Sequence, residues 1–201
     1  KICEWVWTHD WPKPFLMFAT TNGTLVHGKI KEWFTKHREG FVLSLSLDGT
    51  PEMHNINRSN SFKDIDVDFF RKTWPYQTCK TTFSRQTIGR LAEGLIYIHK
   101  LGFRPNACPA GGIEWEKEDY DSYAREMKKL ADFYLENPEI MPCTLITMPI
   151  DRVAQFAEYM TKSGDKKVPN CCGAGKNISC IDRCGRKYPC QTFLPMSVGK
   201  N

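Results

Sequence analysis

Five of the nine cysteines, Cys171, Cys172, Cys180, Cys184 and Cys190, fall within the twenty residues 171–190, among Gly173, Gly175 and Gly185. Thiols clustered on a short glycine-rich segment hold a disulfide or a metal, and thiolates favour zinc or iron–sulfur over hard cations. Cys172 and Cys190 are the best ligand candidates, followed by Cys171, while Cys180 and Cys184 read as spare thiols on strand and turn. Residue type alone leaves zinc and an iron–sulfur cluster both open, zinc being the commoner structural metal. The other four, Cys3, Cys79, Cys108 and Cys143, are scattered singly in apolar settings. Scattered thiols and an odd total suit a reduced, cytoplasmic protein better than a disulfide framework.

The elements that must position these groups alternate along the chain. Phe15–Ala19 is a short apolar run closed by the turn Thr21-Asn22-Gly23, and 28–38 places Ile30, Trp33 and Phe34 on one helical face. Phe41–Leu47 is a second strand, stopped by Asp48-Gly49-Thr50-Pro51; a helix over 61–73 and a third strand, Thr78–Phe83, follow. A long helix from Ser84, with Ile88, Leu91, Leu95 and Ile98 three or four apart, ends at Gly102. Phe103–Pro109 is a fourth strand, and helices over 120–136 and 150–163 complete the rhythm. Strand and helix in strict alternation predict right-handed βαβ units and a parallel sheet, with functional residues at the C-terminal strand ends. After Pro169 the period changes to two short strands around Cys184-Gly185, a hairpin, so a boundary is expected near Lys166, dividing the chain into 1–165 and 166–201.

Composition fits a soluble globular chain: 201 residues, 41% hydrophobic and 25% charged, enough for a real core. No stretch approaches the ~18 apolar residues of a membrane span, and no apolar segment near the start reads as a signal peptide. A net charge of +5, dispersed over isolated pairs such as Lys128-Lys129, marks a solvated surface. Neither a membrane nor a nucleic-acid partner is expected, since nothing basic interleaves the early tryptophans. The five histidines show no mutual spacing that would build a metal site.

Three strand ends, in order, resemble one family. Thr20-Thr21-Asn22-Gly23-Thr24-Leu25, then Ser44-Leu45-Ser46-Leu47-Asp48-Gly49, then Glu52-Met53-His54-Asn55 with Arg58 resemble the middle of radical S-adenosylmethionine (SAM) enzymes, in the peptide-modifying branch that includes anaerobic sulfatase-maturating enzymes. Cys172-Gly-Ala-Gly, Ile181-Asp182, and Gly185 leading to Tyr188-Pro189-Cys190 resemble the start of their C-terminal SPASM extension, which binds auxiliary iron–sulfur clusters. The resemblance implies a partial (β/α)6 barrel, of which the four strands are the third to sixth, followed by a small Cys-rich hairpin. It implies a [4Fe-4S] cluster with one iron open to chelate SAM, and hydrogen abstraction from a peptide or protein side chain by the 5′-deoxyadenosyl radical. A flavodoxin or ferredoxin is the implied electron donor. Ser46 is carried over as a contact to the SAM carboxylate or is an ordinary strand serine bonded to nearby backbone. Asn22 and Gly23 are cofactor-binding candidates or a turn pair, and Arg58 is a further candidate or the partner of a carboxylate in a structural ion pair. With the family in view, [4Fe-4S] replaces zinc at Cys172, Cys190 and Cys171.

The chain departs from the family at two places. It contains no C-x3-C-x2-C triad and no Gly-Gly-Glu segment, both of which belong to the first two βα units, so it reads as a fragment that does not assemble the radical site alone. Gln191 follows the Tyr-Pro-Cys cysteine where the sulfatase-maturating relatives place an aspartate base. An amide does not accept a proton near neutral pH, which points to a different peptide modification. The reading from another class is a non-catalytic βα protein carrying a small zinc hairpin.

Overall fold

The computed structural model describes residues 1–163 (side chains to 154), 174–175, 178–182, 184–190 and 193. It is mixed α/β and falls into two compact units, Lys1–Asp151 and Arg152–Asn201. The first unit opens with α1 (Ile2–Thr8) and continues β1 (Met17–Thr21), α2 (Gly28–Lys36), β2 (Phe41–Leu45), α3 (Pro51–Asn57), α4 (Val67–Thr73), β3 (Thr78–Phe83), α5 (Leu91–Lys100), β4 (Arg104–Pro109) and α6 (Lys117–Glu136). Helix α7 (Thr144–Ser163) follows, and the second unit holds β5 (Cys180–Ile181) and β6 (Lys187–Tyr188), an antiparallel pair.

The first four strands lie in sequence order and all run parallel. β1 pairs with β2 (Met17↔Phe41 to Thr21↔Leu45) and β3 with β4 (Thr78↔Arg104 to Phe83↔Pro109). One parallel bridge, Ser46↔Lys80, joins the two pairs, secured by Leu47 N–H donating to the Lys80 carbonyl at 2.9 Å. Alternate residues point to opposite faces of such a sheet. On one face Phe41, Leu43, Leu45 and Leu47 are buried with Phe69 and Phe70 of α4, Trp74 and Ile98 of α5. Further along, Phe83 and Ala107 pack with Leu91 and Leu95 of α5 and with Leu130 and Tyr134 of α6. Each strand of about 5 residues is too short to be stable alone, so burial against the helices holds the sheet.

Strands and the main helices occur where alternation predicts them, but the helix ends differ for local reasons. The stop at Asp48–Pro51 is the entry to α3: Thr50 Oγ1 accepts the Met53 N–H, and Pro51 occupies the first turn, where its missing N–H costs nothing. The helix expected over 61–73 is a 3-10 turn (Phe62–Asp64) followed by α4, because Asp66 caps the Phe69 N–H and restarts the helix. The helix expected from Ser84 likewise begins as a 3-10 turn, Ile88–Arg90, after the Thr87 hydroxyl takes the Ser84 N–H. The last helix begins at Thr144 rather than Ile150 and contains Pro149. The aromatic opening forms α1, whose Trp7 indole N–H donates to the Gly40 carbonyl. α5 crosses the β2–α3 turn at close range: a Cβ on Gly94 would lie 3.1 Å from the Gly49 Cα. No helix among the described residues is long and apolar enough to cross a membrane.

Candidate functional site

Parallel sheets are ordinarily covered on both faces and read as continuous apolar runs. Here the face opposite the helices carries Phe18 and Val42 at its N-terminal end and becomes polar towards the C-terminal strand ends. Cross-strand partners share a face, and the register sets Thr20 beside Ser44, Ser46 beside Lys80, Lys80 beside Asn106, and Thr82 beside Cys108. Lys80 Nζ donates to Cys108 Sγ at 3.1 Å, Thr144 donates from its hydroxyl to Asn106 Oδ1, and Ser44 Oγ donates to the Thr78 carbonyl at 2.6 Å. Ser46 sits at the C-terminal end of β2, 6% exposed, its N–H donating to the Thr21 carbonyl. Among the described residues its hydroxyl has no hydrogen-bond partner, unlike an ordinary strand serine satisfied by nearby backbone.

Around this edge, side chains replace the ladder that β2 and β3 do not form. The Asp48 carboxylate, 2% exposed, accepts the Thr82 N–H on Oδ1 at 2.9 Å. The same carboxylate takes Arg58 in a fork, Nε to Oδ2 at 2.7 Å and Nη2 to Oδ1 at 3.1 Å. Asn57 Nδ2 donates to the Thr82 carbonyl and Asn57 Oδ1 accepts from Ser84 Oγ, so both backbone groups of Thr82 are held by side chains. His54, fully buried on α3, accepts the Asp48 N–H at Nδ1 (3.3 Å), which places its own proton on Nε2, 3.2 Å from Ser61 Oγ. Burial, opposed by Asp48 and aided by Arg58, lowers the His54 pKa to about 4, so the ring is neutral near pH 7.

The first cofactor-binding candidates occupy the neighbouring loop. Asn22 Oδ1 accepts both the N–H and the hydroxyl of Thr24, an Asx turn that shapes the loop leaving β1. Gly23 has φ +83°, and a Cβ there would approach Leu45 Cδ1 to 2.8 Å. Asn22, Gly23 and Ser46 thus lie at the C-terminal ends of two adjacent strands, while Arg58, at the C-cap of α3, is committed to Asp48. Lys80 and Asn106 join the polar face without having been singled out in the sequence, and Cys108, expected in an apolar setting, lies there beside the Lys80 ammonium. The signal was there: a strand that alternates Cys79, Thr81, Phe83 with Lys80 and Thr82 carries a polar face.

In the second unit Asp182 organises the hairpin. Its Oδ1 accepts the N–H groups of Cys184 and Arg186, and its Oδ2 accepts Arg186 Nε and the Tyr188 hydroxyl. Desolvation works to raise its pKa, but these donors, led by Arg186, bring it down to about 2. Gly175 N–H donates to the carbonyls of Ile178 and Pro189, so the backbone three residues after Cys172 meets the residue before Cys190. Cys190 is half-buried and Cys184 exposed, while Cys171, Cys172 and Gln191 lie outside the described residues. Among the described residues no group of three or more His, Cys, Asp or Glu is gathered as for a metal.

No protein-family model matches the chain, and no curated protein matches it. Among solved structures it is similar to native anSMEcpe with bound AdoMet, at 21% identity and a TM-score of 0.47, over 61% of this chain and 37% of that one. The polyhistidine-tagged form of anSMEcpe with bound AdoMet gives 21% identity and a TM-score of 0.45, over 60% and 35%. The chain thus spans little more than a third of the length of these structures.

Proposed function

We propose that this chain is the middle of a radical SAM enzyme that modifies a peptide or protein side chain, its four parallel strands being the third to sixth of a (β/α)6 barrel. The observation that carries the reading is the polar face of the parallel sheet, with the unpaired Ser46 hydroxyl at its C-terminal edge. A face of Thr20, Ser44, Ser46, Lys80 and Asn106 suits the lining of a ligand-filled lumen rather than a packed layer. Two of the ordered motifs lie at the ends of β1 and β2, and the third, Glu52–Asn55 with Arg58, lies on α3 and its C-cap.

The residues present fit such a cofactor. The Ser46 hydroxyl is available to donate to a carboxylate, and the Asx turn of Asn22 fixes the neighbouring loop, with Gly23 packed closely against Leu45. Arg58 acts through Asp48, fixing the ends of β2 and β3 that present Ser46. With SAM and a reduced [4Fe-4S] cluster bound, the cofactors would supply a 5′-deoxyadenosyl radical for hydrogen abstraction. That cluster requires a C-x3-C-x2-C triad from a longer polypeptide. The segment 166–201 would open a SPASM-like domain, with Cys172, Cys190 and Cys171 as ligands of an auxiliary [4Fe-4S] cluster; the contact of Gly175 with Pro189 supports bringing Cys172 and Cys190 together. A cytoplasmic setting, with a flavodoxin or ferredoxin as reductant, completes the proposal.

The test is anaerobic reconstitution of the natural polypeptide encoded by the reading frame that contains this chain. Dithionite and SAM should yield 5′-deoxyadenosine, and Ser46→Ala should raise the SAM concentration needed. A natural polypeptide without the cysteine triad, or one that binds zinc, takes up no iron and releases no 5′-deoxyadenosine, would overturn the reading.

A further inference from the structure

An amine and a thiol, both nucleophiles, meet on the polar face of the sheet. Lys80 on β3 reaches across to Cys108 on β4, its Nζ donating to Sγ at 3.1 Å. Strand register places the pair: Lys80 stands opposite Asn106 and Thr82 opposite Cys108, so the lysine leans towards the C-terminal strand ends to find the sulfur. Both residues are half-buried, open enough for a small reagent to arrive. Among the described residues Lys80 makes no ion pair with a carboxylate, and its hydrogen bond goes to Cys108. That bond joins two chemical states: with its proton on nitrogen the sulfur is a thiolate, and with the proton passed to sulfur the nitrogen is a neutral amine.

The other thiols of the first unit lie away from this face. Cys79 and Cys3 belong to the core under β2 and β3, and Cys143 to the core under α6. Alternation along β3 turns Cys79 to the side opposite its neighbour Lys80. All three are free thiols, as Cys108 is. Within the first unit an oxidised Cys108 therefore meets an amine where many redox cysteines meet a resolving thiol. The flexible four-carbon stem of lysine lets the nitrogen close on sulfur without moving either strand.

We infer that Lys80 and Cys108 form a site of reversible oxidative crosslinking, in which a hydroperoxide joins them through a sulfur–nitrogen bond. The thiolate attacks hydrogen peroxide: an S–O bond forms, the O–O bond breaks, and the departing hydroxide takes a proton from the Lys80 ammonium to become water. The amine so uncovered attacks the sulfenic sulfur. An S–N bond forms, the S–O bond breaks, and the hydroxyl leaves as a second water with a proton from nitrogen. One thiol, one amine and one peroxide thus give one sulfenamide and two waters, with sulfur oxidised and peroxide reduced by two electrons. Two molecules of a small thiol reverse the step, returning the amine and thiol and leaving their own disulfide. The bond removes the lysine charge and staples β3 to β4 across the polar face. The inference rests on this pair alone and holds whether or not that face carries radical chemistry.

The test treats the full chain with hydrogen peroxide, unfolds it without reductant in iodoacetamide, and maps tryptic peptides by mass. Residues 73–85, uncut at the blocked Lys80, should appear joined to 101–117, lighter by two hydrogens than the sum, with Cys79 alkylated and Cys108 not. Dithiothreitol should separate the two peptides. Lys80→Arg keeps the charge without a free amine, and Cys108→Ser removes the sulfur; each should abolish the joined species. A second measurement needs no variant: o-phthalaldehyde condenses an adjacent amine and thiol to a fluorescent isoindole with loss of two waters, and on the unoxidised chain it should map to Lys80 and Cys108. A disulfide from Cys108 to any other cysteine, Cys108 oxidised to sulfinic acid with Lys80 still cleaved by trypsin, or a joined species that survives in Lys80→Arg would each overturn the assignment. So would an isoindole that forms elsewhere and not at this pair.

Discussion

The Asp48 carboxylate accepts the backbone N–H of Thr82 at 2.9 Å, so a buried side chain continues the sheet where the β2–β3 ladder has only one bridge. The same carboxylate carries the Arg58 fork, and α3 is thereby locked to both strands. Arg58→Ala should cost about 3–5 kcal/mol, because it leaves the buried Asp48 carboxylate without its partner. Asp48→Asn should cost less, since the Arg58 it leaves is 26% exposed. Urea denaturation of the three proteins measures this. A loss below about 1 kcal/mol for both would mean that the pair is solvated and the strand ends are held by packing alone.

Stability should rise with pH between about 4 and 6.5. His54 and His99 are both lowered to about 4, burial being the main cause in each. The unfolded chain binds protons at these rings below about pH 6.5, and the folded chain does so only near 4. Their contribution is therefore complete above about 6.5 and is lost as pH falls to 4, with a slope of up to about 1.4 kcal/mol per pH unit for each ring. His99 lies 2.8 Å from the Tyr134 hydroxyl, which receives the Cys143 N–H. His99→Gln keeps a hydrogen-bonding group there and should roughly halve the slope. A flat midpoint across this range would show that neither ring is shielded from water.

Thiol reactivity should sort by burial. Cys79 is fully buried under the β2–β3 junction, and burial pushes its pKa well up, whereas Cys184 is exposed on the hairpin. Only the thiolate reacts with alkylating reagents. Peptide mapping after brief iodoacetamide treatment should find Cys184 modified and Cys79 and Cys143 untouched until the chain unfolds. Equal labelling of Cys79 and Cys184 would mean that the core opens locally.

Gly23→Ala should destabilise the first unit by roughly 1–2 kcal/mol, since φ of +83° is costly for any residue with a Cβ. The new methyl would also press on Leu45 at the end of β2. Thermal melts of the variant give the answer, and an unchanged midpoint would show that the loop after β1 relaxes freely.

Ser46→Ala separates ligand binding from folding. No hydrogen bond to the hydroxyl is lost, so the variant should melt within about 0.5 kcal/mol of the parent. In the natural polypeptide its SAM affinity should fall several-fold. A large stability loss would mark Ser46 as part of the packing, and unchanged affinity would remove it from the proposed site.

The sequence by itself determined the alternation of strand and helix and the positions of the strands, because strand periodicity and turn residues are local. It also marked Asn22, Gly23 and Ser46 as residues at strand ends. The caps that create α3 and split the 61–73 helix, Thr50 with Pro51 and Asp66, are local as well, but periodicity took Asp48–Pro51 for a stop and 61–73 for one helix. What only the tertiary structure decided is partnership across the chain. Whether Arg58 meets a ligand or Asp48, whether Ser46 is satisfied, and whether Lys80 meets Cys108 depend on strand register. Those choices join residues 10 to 38 positions apart, where chain connectivity imposes no distance and only the packed sheet does.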